Sequence, residues 1–385
     1  MLCILGMKIV LYTNLMTPYR KHFYDLLYRV CKENGDEFCV LVMSDNEKNR
    51  TWHYKDLETS YSRLLKGKTI SIGETYIHIN YGLKRIIRMI NPDIVIAAGS
   101  YLCPGTWTIA RARRKYGYKA LFWSESHLGE VRQYASIKLL IREKVRSKFY
   151  GIFDGFLCPG RLAKDFVKAY AGKDKKIVFL PNLVDEKFWS KREEDREEFC
   201  EKIHREGKVI FFTPARLSRV KGIGDFLELL SLTKKKNTVT MLVAGEGEQK
   251  EELEERAKNL QIDLRLIGNK SAEEIAKLYR ACDFFVLPSL SDPNPLSCIE
   301  ALWSRKPLLV SEHVGNYPEV IKQGCNGYMF SYRDKNRAVE ILNELLDKTD
   351  AWKVRAGEES YTIAQEIYDS KKTVERVRKE LEQWG

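Results

Sequence analysis

No stretch of this 385-residue chain reaches the ~18 consecutive apolar residues that a membrane-spanning helix needs. No C-x-x-C spacing occurs either. The nine cysteines are odd in number and scattered from Cys3 to Cys325. That argues against a disulfide framework or a cysteine zinc site and suits a reducing cytosol. No G-x-G-x-x-G fingerprint follows any apolar run, which argues against a dinucleotide oxidoreductase. Internal repeats and low-complexity segments are absent. The opening residues, Met1 to Lys8, lack the basic flank and long apolar core of a secretory leader, and Met7 offers an alternative start.

What is present is the composition of a globular protein, 44% hydrophobic and 31% charged, long enough for two or three domains. The net charge of +12 is uneven. Residues 1–185 hold 31 Lys+Arg against 17 Asp+Glu, whereas residues 186–385 hold 34 against 36. The first half therefore suits an acidic partner or is kept soluble by its charge.

Short apolar runs alternate with helical patterns, twice. In the first half the runs are Lys8–Tyr12, Phe38–Met43, Asp93–Ala98, Lys119–Ser124, Gly155–Cys158 and Lys176–Leu180. Thr17-Pro18 gives an N-cap and a proline at the first position of a helix reaching about Glu33. After Pro181–Asp185 and a charged stretch, Lys191–Glu198, the cycle restarts. It runs through Val209–Thr213, Thr240–Ala244, Leu264–Ile267, Phe284–Leu287, Pro307–Val310 and a short Tyr328–Phe330. The expected architecture is α/β, with two Rossmann-like doubly wound domains facing a central cleft. The expected boundaries are a basic domain over 1–185, a second domain over 186–363, and a helix over 364–385 that crosses back to the first.

The stretch from Ser289 to Leu302 carries the most chemistry. It leaves an apolar strand and enters a helix near Pro295, with Asp292 and Glu300 eight positions apart. A helix start offers free N–H groups and a positive dipole end, hence an anion seat. Asp292 alone reads equally well as a helix N-cap. Glu300 is expected two to three turns inside an otherwise apolar helix, where a carboxylate needs a partner; a ligand hydroxyl is one candidate. Arg216 and Lys221 follow the first strand of the second half and suit a diphosphate clamp, or a solvated basic loop. Gly245-Glu246-Gly247 reads as a tight turn. Backbone groups of Ile267 and Gly268, at another strand end, could meet a base edge. His127 follows a first-half strand end and would face the same cleft.

Together these residues resemble the family-4 retaining glycosyltransferases of the GT-B fold, most strongly from Phe211 to Phe330. Arg216 and Lys221-Gly222 match the family's Arg…Lys-Gly pair, and Asp292…Glu300 its Glu-x7-Glu motif. Val314–Ile321 with Asn326-Gly327 looks like the segment that follows. Asn182-x-Val184-Asp185 looks like the interdomain linker, and Thr17–Arg20 like a first-domain loop of polysaccharide-type bacterial members. The resemblance implies a nucleotide-sugar donor, UDP- or GDP-linked, as substrate, with no cofactor. Arg216, Lys221 and the amides of Leu296 and Ser297 would hold its diphosphate, Glu300 its ribose, and Asp292 and His127 its sugar. The chain has no D-x-D, in keeping with a metal-independent enzyme. Two departures stand out: Asp292 is one methylene shorter than the usual Glu, and Pro293-Asn294-Pro295 replaces a Gly-rich turn.

Residues 132–149 hold six cations and one acid, with Ile137, Leu140, Ile141 and Val145 at helical spacing. One reading is a basic amphipathic helix on an anionic membrane, which would favour a lipid-linked acceptor and a place at the inner face of the cell membrane. The other is an ordinary surface helix packing its apolar stripe on the sheet. The expected partners are a nucleotide-sugar donor and a glycan or lipid-linked acceptor, with no nucleic acid. Two alternatives stay open: a nucleic-acid- or phosphate-binding protein without transferase activity, and another GT-B enzyme, a sugar-nucleotide epimerase or phosphorylase.

Overall fold

The computed structural model describes residues 6–47, 53–72, 75–128, 136–191 and 207–384. The charged stretch expected at the domain junction lies outside these from residue 192 onward. The longer helices are α1 (Pro18–Glu33), α2 (Leu83–Ile90), α3 (Pro104–Tyr116), α4 (Ser136–Gly151), α5 (Arg161–Ala171), α6 (Ile223–Ser231), α7 (Lys250–Leu260), α8 (Ala272–Ala281), α9 (Leu296–Trp303), α10 (Lys335–Leu346), α11 (Asp350–Ile367) and α12 (Ser370–Glu382). The chain divides into two compact units. Among the described residues, one gathers those up to Glu125, then 136–183 and 370–384; the other gathers 126–128, 184–191 and 207–369.

The strands of the first unit are β1 (Lys8–Thr13), β2 (Glu37–Val42), β3 (Ser62–Leu64), β4 (Gly67–Ile72), β5 (Thr75–Asn80), β6 (Ile94–Ala98), β7 (Lys119–Trp123), β8 (Gly155–Cys158) and β9 (Lys176–Phe179). Seven of them form a parallel sheet, β3-β2-β1-β6-β7-β8-β9, and β4 and β5 form a separate antiparallel pair. Continuous apolar runs suit strands covered on both faces. In β1, Ile9 and Leu11 enter one core while Val10 and Tyr12 enter the other. Helix α1 begins as its sequence dictates: the Thr17 hydroxyl accepts the Arg20 amide and Pro18 takes the first turn.

The second unit repeats the plan with β10 (Val209–Pro214), β11 (Val239–Ala244), β12 (Asp263–Leu266), β13 (Phe284–Leu287), β14 (Leu308–Ser311) and β15 (Gly327–Phe330). Its parallel order is β12-β11-β10-β13-β14-β15. Strand order reverses between β1 and β6 in one sheet and between β10 and β13 in the other. Open α/β sheets bind ligands at the carboxyl ends of such switch points.

The tail differs from the expectation of one helix from 364. Helix α11 ends at Ile367, with Ala364 and Tyr368 buried in the second unit, and the chain joins the first unit only at Ser370. Val374, Val377 and Leu381 of α12 are then fully buried in the first core, each contributing about 1.5–3 kcal/mol. Arg378 grips the wholly buried carboxylate of Asp36 through Nε (2.8 Å) and one terminal nitrogen (3.2 Å), and the Met7 amide donates to the same group. Arg378→Ala would strand that carboxylate. The expected loss is about 2–4 kcal/mol, read as a lower urea midpoint for the first unit.

Candidate functional site

Two loops leave the carboxyl ends of β10 and β13, on either side of the second switch point. They are tied together before any side chain meets. The Val220 carbonyl accepts the amides of Leu290 (2.8 Å) and Ser291 (3.3 Å). The Tyr332 hydroxyl reaches the carbonyls of Pro288 (2.6 Å) and Gly222 (3.3 Å). Gly222 has φ +66°, and a Cβ there would lie 2.2 Å from the Pro288 carbonyl, so only glycine fits this crossing. The consequence is that Lys221 Nζ sits 2.6 Å from Asp292 Oδ2, across 71 positions of sequence.

Asp292 is not a helix cap. Its amide donates to the His313 carbonyl and its own carbonyl accepts from Gly315 at 2.7 Å, so the residue is held at a bridge to Val314. Pro295 occupies the N-cap position and makes no side-chain cap bond, while the Asn316 side-chain amide donates to the Pro295 carbonyl. Gly315 packs so closely that a Cβ would meet the Pro293 carbonyl at 1.8 Å and the His127 ring at 3.1 Å. His127 is buried, its ring beside the Gly315 backbone that bonds to Asp292.

Helix α9 starts at Leu296, so the amides of Leu296 and Ser297 belong to its unsatisfied first turn. Glu300 is only the fifth residue of α9, little more than one turn in, not the two to three turns its sequence suggests. It keeps a partly exposed edge within apolar surroundings. Desolvation pushes its carboxyl up to about 7, against the opposing effect of a hydrogen bond from the Tyr279 hydroxyl at 3.1 Å.

Arg216 is exposed two residues beyond β10. Ile267 and Gly268 lie just beyond β12; the Ile267 amide donates to Val243, and the Gly268 carbonyl accepts the Gly245 amide at 2.8 Å. The structure thus gathers His127, Lys221 and Asp292 about one turn. It places Glu300 on the helix that turn leads into, Arg216 beyond the end of β10, and Ile267 and Gly268 beyond the end of β12, two strands away. Sequence reasoning missed Tyr279, Tyr332 and Asn316. Tyr279 had no distinguishing signal, because a fully buried aromatic on a helix looks like core.

Residues 194–361 match the family described as Glycosyl transferases group 1. The chain is 27% identical to alpha-monoglucosyldiacylglycerol synthase of Streptococcus pneumoniae, over 60% of this chain and 53% of that protein. It is 24% identical to glycogen synthase of Mycobacterium tuberculosis, over 52% of this chain and 47% of the relative. The chain spans about half the length of these curated relatives. Among solved structures, Anabaena Alr3699/HepE in complex with UDP aligns with a TM-score of 0.76 at 15% identity, over 98% of this chain and 100% of that one. The lipopolysaccharide outer core galactosyltransferase WaaB aligns at 0.72 and 16% identity, over 98% and 99%.

The two parallel-sheet α/β units are those of the GT-B fold class. The match to the Glycosyl transferases group 1 family is confined to residues 194–361, less than half of the chain.

Proposed function

We propose that this protein is a retaining glycosyltransferase of family 4. In this reading it moves a sugar from a UDP- or GDP-linked donor to a glycan or lipid-linked acceptor in surface polysaccharide or glycoconjugate biosynthesis. The observation that carries the reading is the Lys221–Asp292 pair beside the start of α9, at the second sheet's switch point. A lysine held there is a ready cation for a diphosphate, and the α9 amides add donors on the same side. Arg216 supplies a second cation. Glu300 offers acceptors to the ribose hydroxyls, Asp292 to the transferred sugar, and His127 contacts that sugar from the same turn. As the sugar–phosphate bond breaks, negative charge grows on the leaving diphosphate, and the two cations and amides stabilise it. The leaving phosphate takes the acceptor's proton on the same face, so configuration is retained. No cofactor is assigned, and no resident metal is needed for these roles.

The relatives favour this reading over the nucleic-acid alternative. They are named for the synthesis of a glucosyl lipid and of glycogen, and Alr3699/HepE was solved with UDP-glucose. The test is a panel of UDP-, GDP- and ADP-sugars with candidate acceptors, reading free nucleoside diphosphate and the anomeric configuration of the product. Release of one diphosphate with a retained product supports the proposal. An inverted product rejects the mechanism, and no release from any donor rejects the activity.

An anionic membrane surface is the second partner in this proposal. Among the described residues no helix is long and apolar enough to cross a membrane. On α4, however, Leu140, Ile141 and Val145 are exposed at 64%, 60% and 37%, with Lys144 and Lys148 also exposed. The opposite face holds Phe149, Tyr150 and a buried Arg146 stacked among Tyr101, Phe166 and Tyr170. An apolar stripe turned outward between lysines is the pattern of an interfacial helix, and it does not lie on the sheet. Arg132 and the residues up to 135 lie outside the described part. The Leu140→Glu/Ile141→Glu variant is expected to lose about tenfold or more of its binding to anionic vesicles in flotation. Unchanged flotation removes this partner.

A further inference from the structure

The Tyr279 hydroxyl sits between two acceptors, the Ser297 carbonyl at 2.9 Å and Glu300 Oε2 at 3.1 Å. Its ring is fully buried and fixed edge-on by Trp189 and Phe212, so the hydroxyl has little freedom to leave. A phenol carries one hydrogen, so at any moment it serves one acceptor fully. When Glu300 is ionised, the charged oxygen draws that hydrogen, as charge-assisted bonds are the stronger. When Glu300 is protonated, its own O–H can donate to the phenol oxygen, and the phenol hydrogen turns to Ser297.

We propose that Tyr279 is a positioning residue for the donor: by turning its single hydrogen from Ser297 to Glu300, it holds the Glu300 carboxylate ionised and oriented to accept the ribose hydroxyls. The inference rests on the donor-site reading given above. Tyr279 touches no substrate; it acts through Glu300. Among the described residues, the titratable groups that face this carboxylate or its helix include Tyr279 on α8, Cys282 just beyond it, Cys298 on α9, the Lys221–Asp292 pair from the loops, Tyr361 on α11 against Trp303, and Tyr368 beyond α11, which itself faces Glu319. Desolvation favours the neutral acid, and the Tyr279 bond is what opposes it. Loss of the hydroxyl therefore moves Glu300's titration upward, leaving less carboxylate at neutral pH.

The experiment titrates UDP, GDP and ADP into wild type, Tyr279→Phe and Glu300→Gln across the neutral range by calorimetry. Wild-type affinity for the preferred nucleotide is expected to rise with pH through about 7, as Glu300 ionises. In Tyr279→Phe that rise shifts to higher pH, and affinity at neutral pH falls by about tenfold, the loss of one hydrogen bond to a charged group. In Glu300→Gln only the part of the rise that comes from the nucleotide's own terminal phosphate remains. A packing role alone would lower affinity without moving the pH midpoint. An unmoved midpoint in folded Tyr279→Phe overturns the proposal while leaving the donor site standing. Wild type that binds none of the three nucleotides overturns both. If Tyr279→Phe does not fold, the folded Glu300→Gln variant carries the test. A tyrosine 13Cζ resonance that titrates near neutral pH in wild type and stops titrating in Glu300→Gln supports the shared hydrogen; the absence of any such resonance overturns it.

Discussion

Glu300→Gln is expected to melt higher than wild type at about pH 8, by roughly 2–6 °C in the transition of the second unit, although it removes the group proposed to hold the donor ribose. The reason is linkage. Folding raises the Glu300 pKa, to about 7, so the folded state holds this proton more tightly than the unfolded state does. Stability from this group is therefore full below the ordinary carboxylate pKa. It is lost as pH rises towards 7, and stays lost above. Glutamine keeps an oxygen for the Tyr279 hydroxyl without the charge, so about 1–2 kcal/mol returns at alkaline pH and almost none at about pH 5. Nucleoside diphosphate affinity should fall by about 10- to 100-fold at the same time, because a neutral amide accepts the ribose hydroxyls more weakly than a carboxylate. Differential scanning calorimetry at the two pH values, with and without nucleotide, checks both halves. A variant that melts lower than wild type at about pH 8 would contradict the assignment of Glu300 as a desolvated charge kept for binding.

Lys221→Met is expected to fail twice, and the two failures should separate. The Lys221 and Asp292 side chains are 24% and 12% exposed, so removing the ammonium leaves a largely desolvated carboxylate without its partner. That costs about 1–3 kcal/mol, and Asp292→Asn in the same background should restore most of it. Binding should not return with stability. A diphosphate needs the cation itself, and its loss should weaken binding by about 10- to 100-fold in both the single and the double variant. Urea denaturation and calorimetric titration of the three proteins read the two quantities independently. Recovery of nucleotide affinity in the double variant would show that Lys221 serves only to neutralise Asp292.

Much of this was legible in the sequence, because parallel strands buried on both faces announce themselves as continuous apolar runs. Gly155–Cys158 and Phe284–Leu287 form strands at the bounds their sequence suggests. The β4–β5 hairpin is a different case. Its alternation of Thr69-Ile70-Ser71-Ile72 is visible, but Ile70 and Ile72 are exposed, so the pattern does not track a core. The tail misled because helical periodicity runs on through a break that only Tyr368, buried in the second unit, and Ser370, joining the first, define. At the site, spacing identified Asp292, Glu300 and Lys221 as chemistry-bearing. It could not pair Lys221 with Asp292, since their meeting depends on β10 and β13 being neighbours and on the Val220 carbonyl joining their loops. Nor could it find Tyr279, whose role follows from one hydroxyl in an otherwise apolar environment.

The most direct test is calorimetric titration of the wild-type protein with UDP, GDP, ADP and a short oligonucleotide, without added metal. Saturable binding of one nucleoside diphosphate is expected, weakened in Lys221→Met/Asp292→Asn and in Glu300→Gln. Binding of the oligonucleotide alone, falling steeply with salt, would contradict it and assign the basic first half to nucleic acid.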